Sequence, residues 1–189
     1  MSITINHQTN DLSIAGGGAP TLGGSAAGGG ALNLINTTTV TSSVTSVDFT
    51  SIGSYDRYVL KWDATMDGAK VPNIQIYDNG TLLTSSNYSF LRSKMVSGSA
   101  SYQTTYTGVI ATSGLVTQIG TFEIAGTEPR LPYHLVVGGF TGTSDTAETM
   151  FTSGGMKSTY SVTSLTGLRF TLTSGAILTG RFSLYGLSQ

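Results

Sequence analysis

Histidines are the first side chains in this sequence to consider for chemistry, because histidine binds metals and transfers protons near neutral pH. The chain has two, His7 and His134, and neither has a second histidine or a pair of carboxylates at a metal-ligand interval. Cysteine is absent, which excludes disulfides, thiolate nucleophiles and cysteine-based metal sites. We therefore interpret both histidines as solvated or hydrogen-bonded residues.

Carboxylates supply two alternatives, a calcium site and a glycosidase pair. The candidates for calcium flank turns, and they are Asp63, Asp67 and Asp78. The candidates for a glycosidase lie close together in sequence, and they are Glu123 with Glu128 and Asp145 with Glu148. The aspartate spacing matches no dedicated calcium loop, and among ten acidic residues some pairs arise by chance. No serine lies in a nucleophile elbow. From these observations together we expect no catalytic residue, no metal, no cofactor and no enzymatic activity.

Tyrosines offer a further possibility, because aromatic rings stack on sugars in lectin-like grooves. The candidates are Tyr55, Tyr77, Tyr88, Tyr102 and Tyr106. Tyrosine is also a favoured cross-strand residue on a β-sheet, and we prefer this structural interpretation.

Charge is scarce in this chain, at 10% of residues against about a quarter in an ordinary domain. Nine basic and ten acidic residues leave a net charge of -1, which offers no basic field for nucleic acid. A surface rich in Ser, Thr and Gly loses little hydration free energy when it is covered. We therefore expect a protein that is buried in an assembly.

The N-terminal sequence, Met-Ser-Ile-Thr-Ile-Asn-His-Gln, has neither a basic opening nor an apolar run of signal-peptide length. No stretch approaches the roughly 20 apolar residues that span a bilayer. From the sequence we expect synthesis in the cytoplasm and no membrane partner.

Period-two alternation of apolar and polar residues runs through most of the chain after residue 32 and predicts β-strands. The strongest pattern spans Tyr58 to Ala64, where we expect a central core strand. Asp78-Asn79-Gly80 is typical of a type I′ hairpin turn. About eight strands at spacings of roughly 8 to 15 residues, with no helical period, predict an all-β fold, an antiparallel β-sandwich of jelly-roll type. The core residues that we predict are Leu60, Trp62, Phe122, Phe170, Phe182 and Leu184.

Three segments after residue 130 carry predictions of their own. Gly138-Gly139 interrupts a strand pattern and suggests a β-bulge. Residues 141 to 158 are mostly polar and predict a loop. Alternating runs flank Ser174-Gly175, and we expect them to form a closing hairpin with Leu178, Phe182 and Leu184 on one face.

Residues 1–32 differ from the rest, because glycine clusters separate only scattered aliphatic residues there. Five aliphatic side chains cannot offset the conformational entropy of ordering some thirty residues. We therefore expect an extended Gly-rich arm that is disordered in the isolated protein and orders as short strands against a neighbouring chain. The arm residues that we predict to bind a partner are Ile3, Ile5, Leu12, Ile14 and Leu22. A sandwich domain over residues 33–189 follows.

The closing pattern consists of Leu-Arg-Phe-Thr-Leu at 168–172, a Ser-Gly turn, and Phe-Ser-Leu-Tyr-Gly-Leu at 182–187. It resembles the end of jelly-roll virion proteins of tailed bacteriophages, and the Gly-rich opening is similar to the leaders of phage structural proteins. That family includes capsid cement or decoration proteins and tail appendage proteins, which are commonly trimeric.

The resemblance implies a virion protein that assembles in the host cytoplasm, forms a homo-oligomer such as a trimer, and contacts the major capsid protein or another virion protein. Two functions stay open. A cement protein would stabilise the head by bridging capsid subunits, whereas a tail appendage would recognise host surface glycans. The small size, the absence of a fibrous shaft and the N-terminal arm favour the cement protein.

Overall fold

The computed structural model describes residues 32–70, 72–83, 87–96, 99–107, 110–111, 115–127, 130–140, 147–172 and 174–188, and four short strands before residue 27. The strands are, in chain order, β1 (Ile3–Asn6), β2 (Asp11–Ile14), β3 (Thr21–Leu22), β4 (Ser25–Ala26), β5 (Asn33–Val40), β6 (Ser46–Thr50), β7 (Arg57–Lys70), β8 (Pro72–Asp78), β9 (Thr81–Leu82), β10 (Tyr88–Val96), β11 (Ser99–Thr107), β12 (Ile110–Ala111), β13 (Leu115–Ala125), β14 (Tyr133–Phe140), β15 (Ala147–Met156), β16 (Leu165–Leu172) and β17 (Ile177–Leu187).

Two antiparallel sheets form a β-sandwich. In the described part of the chain, the larger sheet has eight strands in the order β11-β10-β15-β14-β13-β7-β17-β5. The smaller sheet has five, in the order β12-β8-β16-β6, with β9 beside β8. The prediction of an all-β antiparallel sandwich is therefore confirmed.

The strand with the strongest sequence pattern, β7, lies inside the larger sheet between β13 and β17. Its alternate residues Tyr58, Leu60, Trp62 and Ala64 are at most 3% exposed, whereas Lys61 between them faces solvent. Burial of each large apolar side chain contributes about 1.5 to 3 kcal/mol, so this one strand supplies a sizeable share of the folding free energy.

The core between the sheets is held by aromatic rings from both sides. Phe170 of the smaller sheet lies 5.2 Å from Trp62 and 5.0 Å from Phe182 of the larger sheet, measured between ring centroids. These are the spacings of tilted aromatic pairs, which stabilise a core beyond the area that they bury. All six residues predicted for the core are buried, and they are Leu60, Trp62, Phe122, Phe170, Phe182 and Leu184.

The turn between β8 and β9 is the hairpin that its sequence predicts. Asn79 and Gly80 have φ angles of 48° and 79°, and Asp78 pairs with Thr81. Both central residues of a type I′ turn require positive φ, which Asn and Gly adopt at low cost.

The predicted closing hairpin is wrong, although its strands and its turn at Gly175 are present. β16 belongs to the smaller sheet and β17 to the larger, where β17 pairs with β7 and β5. Alternation is the same for two strands of one sheet and for two strands in facing sheets, so it cannot separate these arrangements. A register shift after Ile177 also reverses the predicted faces at the start of β17, where Ile177 is buried and Leu178 is 40% exposed, whereas Phe182 and Leu184 are buried on one face as predicted.

Residues 147–156 form a strand where the sequence predicts a loop. β15 is rich in Ser, Thr and Gly, but it lies between β10 and β14 and pairs with both along its length. Tertiary pairing therefore overrides a weak local preference. The bulge predicted at Gly138-Gly139 is also absent, because β14 pairs there with β13 and β15 without a register shift.

The four N-terminal strands pair among themselves, β1 with β2 and β3 with β4. Their register places Ile3 opposite Ile14 and Ile5 opposite Leu12, while Leu22 lies in β3. Among the described strands, none of these four is hydrogen-bonded to the sandwich. Their predicted addition to a neighbouring chain stays a prediction.

Candidate docking face

The outer surface of the larger sheet carries an unusual group of exposed apolar side chains. Strands β13, β14 and β15 send alternate residues into the core, and the residues between them point to solvent, while β10 continues the sheet beside β15. The large apolar residues at these outward positions are Leu91 (53% exposed), Met95 (49%), Ile119 (65%), Val136 (41%) and Phe151 (45%). We call these five residues the apolar band.

Strand register brings the band together. Phe151 of β15 stands opposite Val136 of β14, and Ile119 of β13 stands opposite Gly138 of β14. Leu91 and Met95 of β10 stand opposite Ser153 and Thr149 of β15, one on each side of Phe151. Directly opposed residues on neighbouring strands lie about 5 Å apart and diagonal neighbours about 7 to 8 Å apart, so the five side chains form one continuous surface.

Two of the hollows on this surface are each lined by more than one member of the band. One has a volume of about 360 Å³ and is lined by Ile119, Val136 and the two glycines of β14. The other has a volume of about 260 Å³ and lies between Leu91, Val136 and Phe151. A hollow between apolar side chains is suited to a side chain of a partner protein.

Charge is sparse on the face. Among the described outward positions of the four band strands, the residues with ionisable side chains are Glu123 and His134, and Arg57 donates a 2.7 Å hydrogen bond to Glu123. The neighbouring strands β7 and β17 expose Lys61, Asp63 and Arg181. Exposed apolar patches of several hundred Å² in soluble proteins commonly mark interaction sites.

The smaller sheet has a polar outer surface with one ion pair. Arg169 donates hydrogen bonds of 2.6 and 3.3 Å to Asp48, and the hydroxyl of Tyr77 donates one of 2.5 Å to the same carboxylate. Burial acts to raise the pKa of Asp48, but the donors outweigh it and hold that pKa below its usual value. Both oxygens of this carboxylate accept hydrogen bonds from the protein, so the group is arranged for structure.

The second organised carboxylate, Asp78, fastens the segment that leads from β15 to β16. It accepts hydrogen bonds from the backbone N–H groups of Thr163 (3.0 Å) and Ser164 (2.9 Å) and from the hydroxyls of Thr163 (2.8 Å) and Tyr160 (3.0 Å). Burial acts to raise the pKa of Asp78, but the four donors outweigh it and lower the pKa below 3.8. This carboxylate is occupied by protein donors and holds no place for a metal.

The carboxylates proposed for calcium are not brought together. Asp63 lies on the outer face of the larger sheet, Asp67 lies 3.8 Å from the Lys70 ammonium, and Asp78 is used as described above. In the described part of the chain, no group of three or more potential ligands could hold a metal ion.

The glycosidase pairs can be followed only in part. Glu123 is bonded to Arg57, and Glu148 is 7% exposed at a buried position of β15. Glu128 and Asp145 lie outside the described residues, as does His7. His134 is exposed on β14, opposite Glu123 and Ser153 in register.

The tyrosines considered for sugar stacking serve the fold where they are described. Tyr88 is buried, and its hydroxyl accepts a 2.9 Å hydrogen bond from the N–H of Ile76, so its ring is not available to stack on a sugar. Tyr55 packs edge-on against Tyr58 at 5.8 Å, and the Arg169 guanidinium lies 5.7 Å from the Tyr77 ring centroid. The side chains of the two remaining candidates, Tyr102 and Tyr106, lie outside the described part.

The apolar band is not evident from the sequence. Phe151 lies in the segment for which the sequence predicts a loop, and Ile119 and Val136 lie in runs that have the alternation of ordinary strands. The available signal was the run Leu135-Val136-Val137, where consecutive apolar residues must occupy both faces of a strand.

Comparisons with known proteins identify no family. No family model matches the chain, and no curated protein sequence matches it. A crystal structure of exo-inulinase from Aspergillus awamori is similar over 82% of this chain and 29% of that one, with a TM-score of 0.44 and 12% sequence identity. This chain therefore spans less than a third of the length of that protein. Within the described residues, no helix has the length and apolar character needed to cross a membrane.

Proposed function

We propose that this chain is a non-enzymatic structural protein of a bacteriophage virion, a cement protein that stabilises the head by bridging capsid subunits. The observation that carries the proposal is the apolar band, a surface suited to contact with protein rather than with a small ligand. The resemblance of the closing strands to phage virion proteins supplies the kind of assembly, and it also supplies the jelly-roll type of sandwich that we propose for residues 33–189.

Low charge supports an assembled state. Covering a surface of Ser, Thr and apolar residues costs less desolvation free energy than covering lysines and glutamates. With a net charge of -1, copies of the chain also repel one another weakly when they crowd on a shell. We propose that the protein acts as a homo-oligomer, for which the resemblance implies three copies, and that it binds the major capsid protein or another virion protein.

The N-terminal segment fits the same role. Its aliphatic residues Ile3, Ile5, Leu12, Ile14 and Leu22 lie in strands that share no hydrogen bond with the described sandwich. We propose that neighbouring subunits provide the contacts that hold this arm on the particle.

A glycan-binding tail appendage is the second candidate. A hollow of about 480 Å³ on the smaller sheet is lined by Asn79 and by hydroxyl-bearing residues that include Tyr77 and Thr166, which is the composition of a sugar site. The Tyr77 hydroxyl is already bonded to Asp48, and its ring packs against the backbone position of Gly167. These contacts limit stacking on a sugar, so the hollow supports this candidate less than the band supports the first.

Binding to heads tests the proposed function. Heads assembled without this chain should bind the purified full-length protein and then withstand a higher temperature before they release DNA. Host polysaccharide and tail preparations should bind none of it. Binding to polysaccharide or tails with no effect on heads would contradict the cement role and favour the appendage.

A further inference from the structure

The midline of the larger sheet falls between β14 and β13, with four strands on either side. Ile119 and Gly138 stand opposite each other across this line. Ile119 is the most exposed member of the apolar band, at 65%, and Gly138 has no side chain to fill the hollow beside it. A protruding side chain and a hollow therefore lie next to each other at the centre of the face.

We infer that the apolar band is covered by a second copy of this chain, packed face to face about a two-fold axis that runs along this midline. Such an axis exchanges β14 and β13, so each Ile119 enters the hollow over the partner's Gly138. A two-fold interface must be self-complementary in this way. The inference rests on the proposed assembly role, because it names the occupant of the docking face, and it takes a pair of chains in place of the three copies that the resemblance implies.

Apolar contacts away from the axis also match. One row across the sheet has two residues on each side of the midline, and it consists, in order, of Phe151, Val136, Thr121 and Lys61. The two-fold axis therefore places Phe151 over the partner's Lys61. In its own chain the Lys61 ammonium lies 5.9 Å from the centre of the Tyr185 ring, so the alkyl stem of the lysine makes the contact with Phe151.

Charge matches in the next row. His134 and Glu123 are opposite each other across the same midline. The axis therefore places His134 over the partner's Glu123, and the arrangement occurs twice. The imidazole can donate a hydrogen bond to that carboxylate, and Asp63, which stands beside Ile119 in its row, is placed over the partner's Thr149 and not over its own copy.

The size of the face suits a stable dimer. Eight strands spaced by about 4.8 Å, with outward residues over about five positions of 3.4 Å each, give a face of roughly 650 Å². Specific interfaces bury about 800 Å² on each partner, counted as accessible surface, which exceeds the projected area of a corrugated face. Two sheets packed at about 10 Å would repeat between copies the arrangement found inside the sandwich.

Sedimentation equilibrium of the full-length protein tests the pairing. Wild type should have twice the 19.6 kDa mass of one chain. Ile119→Asp should weaken the pairing by roughly a hundredfold or more, since it buries an unpaired charge. Gly138→Leu should weaken it by filling the hollow, and the fold has room for a Cβ there because the nearest atoms are 3.9 Å away. Thr50→Asp, on the exposed surface of the smaller sheet, is the matched control and should pair as wild type does.

Unchanged melting temperatures of the monomeric forms would show that the variants fold. A wild-type mass of one or three chains, or an Ile119→Asp protein that still pairs, would overturn the inference. If wild type is monomeric and Ile119→Asp loses binding to heads, the face docks on the shell, which rejects the pairing and keeps the cement role. If wild type pairs but binds no heads, the pairing stands and the proposed function fails.

Discussion

Trp62 illustrates how one residue can determine the packing of both sheets. Its ring lies against Phe170 of the smaller sheet and over Gly120 of the neighbouring strand, where an added Cβ would come within 2.0 Å of it. The glycine is therefore required by the tryptophan, because any larger side chain would displace the ring.

Replacement of Trp62 tests this packing. Trp62→Ala should lower the free energy of unfolding by about 3 to 5 kcal/mol, because it leaves a cavity between the sheets. Trp62→Phe should cost less, since it keeps most of the ring volume and removes an indole N–H that has no acceptor among the described residues. Urea denaturation of the three proteins measures the differences, and equal losses for both variants would show that the ring volume is not what matters.

Gly120→Ala approaches the same contact from the opposite side. It should destabilise the fold by about 1 to 3 kcal/mol, because the new methyl group overlaps the Trp62 ring. Gly138→Ala lies in the next strand of the same sheet and meets no atom closer than 3.9 Å, so it serves as the control. A loss of similar size for both glycines would contradict the proposed contact.

The hydrogen bonds that Asp78 accepts should stabilise the fold, and this stabilisation should be lost in acid. Asp78→Ala should cost about 1 to 3 kcal/mol, because the N–H groups of Thr163 and Ser164 lose their acceptor. Asp48→Ala should cost only about 1 kcal/mol or less, since its ion pair with Arg169 is partly exposed.

The pH dependence follows from the lowered pKa of Asp78. A carboxyl group whose pKa is lower in the folded protein contributes its full stabilisation above the unfolded pKa, and this is lost as the pH falls through the folded value. The difference in unfolding free energy between wild type and Asp78→Asn should therefore be constant near pH 6 and shrink below about pH 4. A difference that grows on acidification would have the wrong sign for this account.

At the level of elements, the sequence predicted strands more reliably than their partners. Tyr58 to Ala64 and Asn79-Gly80 were assigned correctly because alternation and turn chemistry are local properties. The partners of β16 and β17 were not, because a turn at Gly175 can join strands of one sheet or of two. β15 was missed because its strand character comes from β10 and β14, which pair with it from distant parts of the chain.

The candidate site was invisible for a related reason. Whether Ile119 or Phe151 is buried depends on which face of its strand packs against the smaller sheet, which has fewer strands than the larger one. Alternation in a sequence identifies two faces of a strand. It does not show which face is covered, or how many strands of the larger sheet the smaller sheet covers.

Removal of residues 1–32 tests the role of the N-terminal arm. The truncated protein should melt at the temperature of the full-length protein, because β1 to β4 share no sheet hydrogen bonds with the described sandwich. Attachment to heads should weaken by several kcal/mol, enough to lose occupancy, because the arm residues no longer reach neighbouring subunits. Calorimetry and a binding assay with heads measure the two effects separately. Full occupancy by the truncated protein would show that the arm does not fasten it.

The whole molecule combines a well-packed sandwich with a surface that is poor in charge and that carries the apolar band on its larger sheet. A protein with this surface is expected to lose less free energy on being covered than an ordinary soluble domain does. Assembly on a shell gives such a surface a partner in every copy, because a symmetric lattice repeats the same contact.

Copy number in purified particles tests this account most directly. Quantitative mass spectrometry of intact virions and of tail-free heads should find this chain in amounts comparable to the major capsid protein, on the order of hundreds per particle, as a symmetric lattice requires. The heads should retain nearly all of it after tails are removed. A few to a few dozen copies that leave with the tails, or none in the virion, would contradict the cement role.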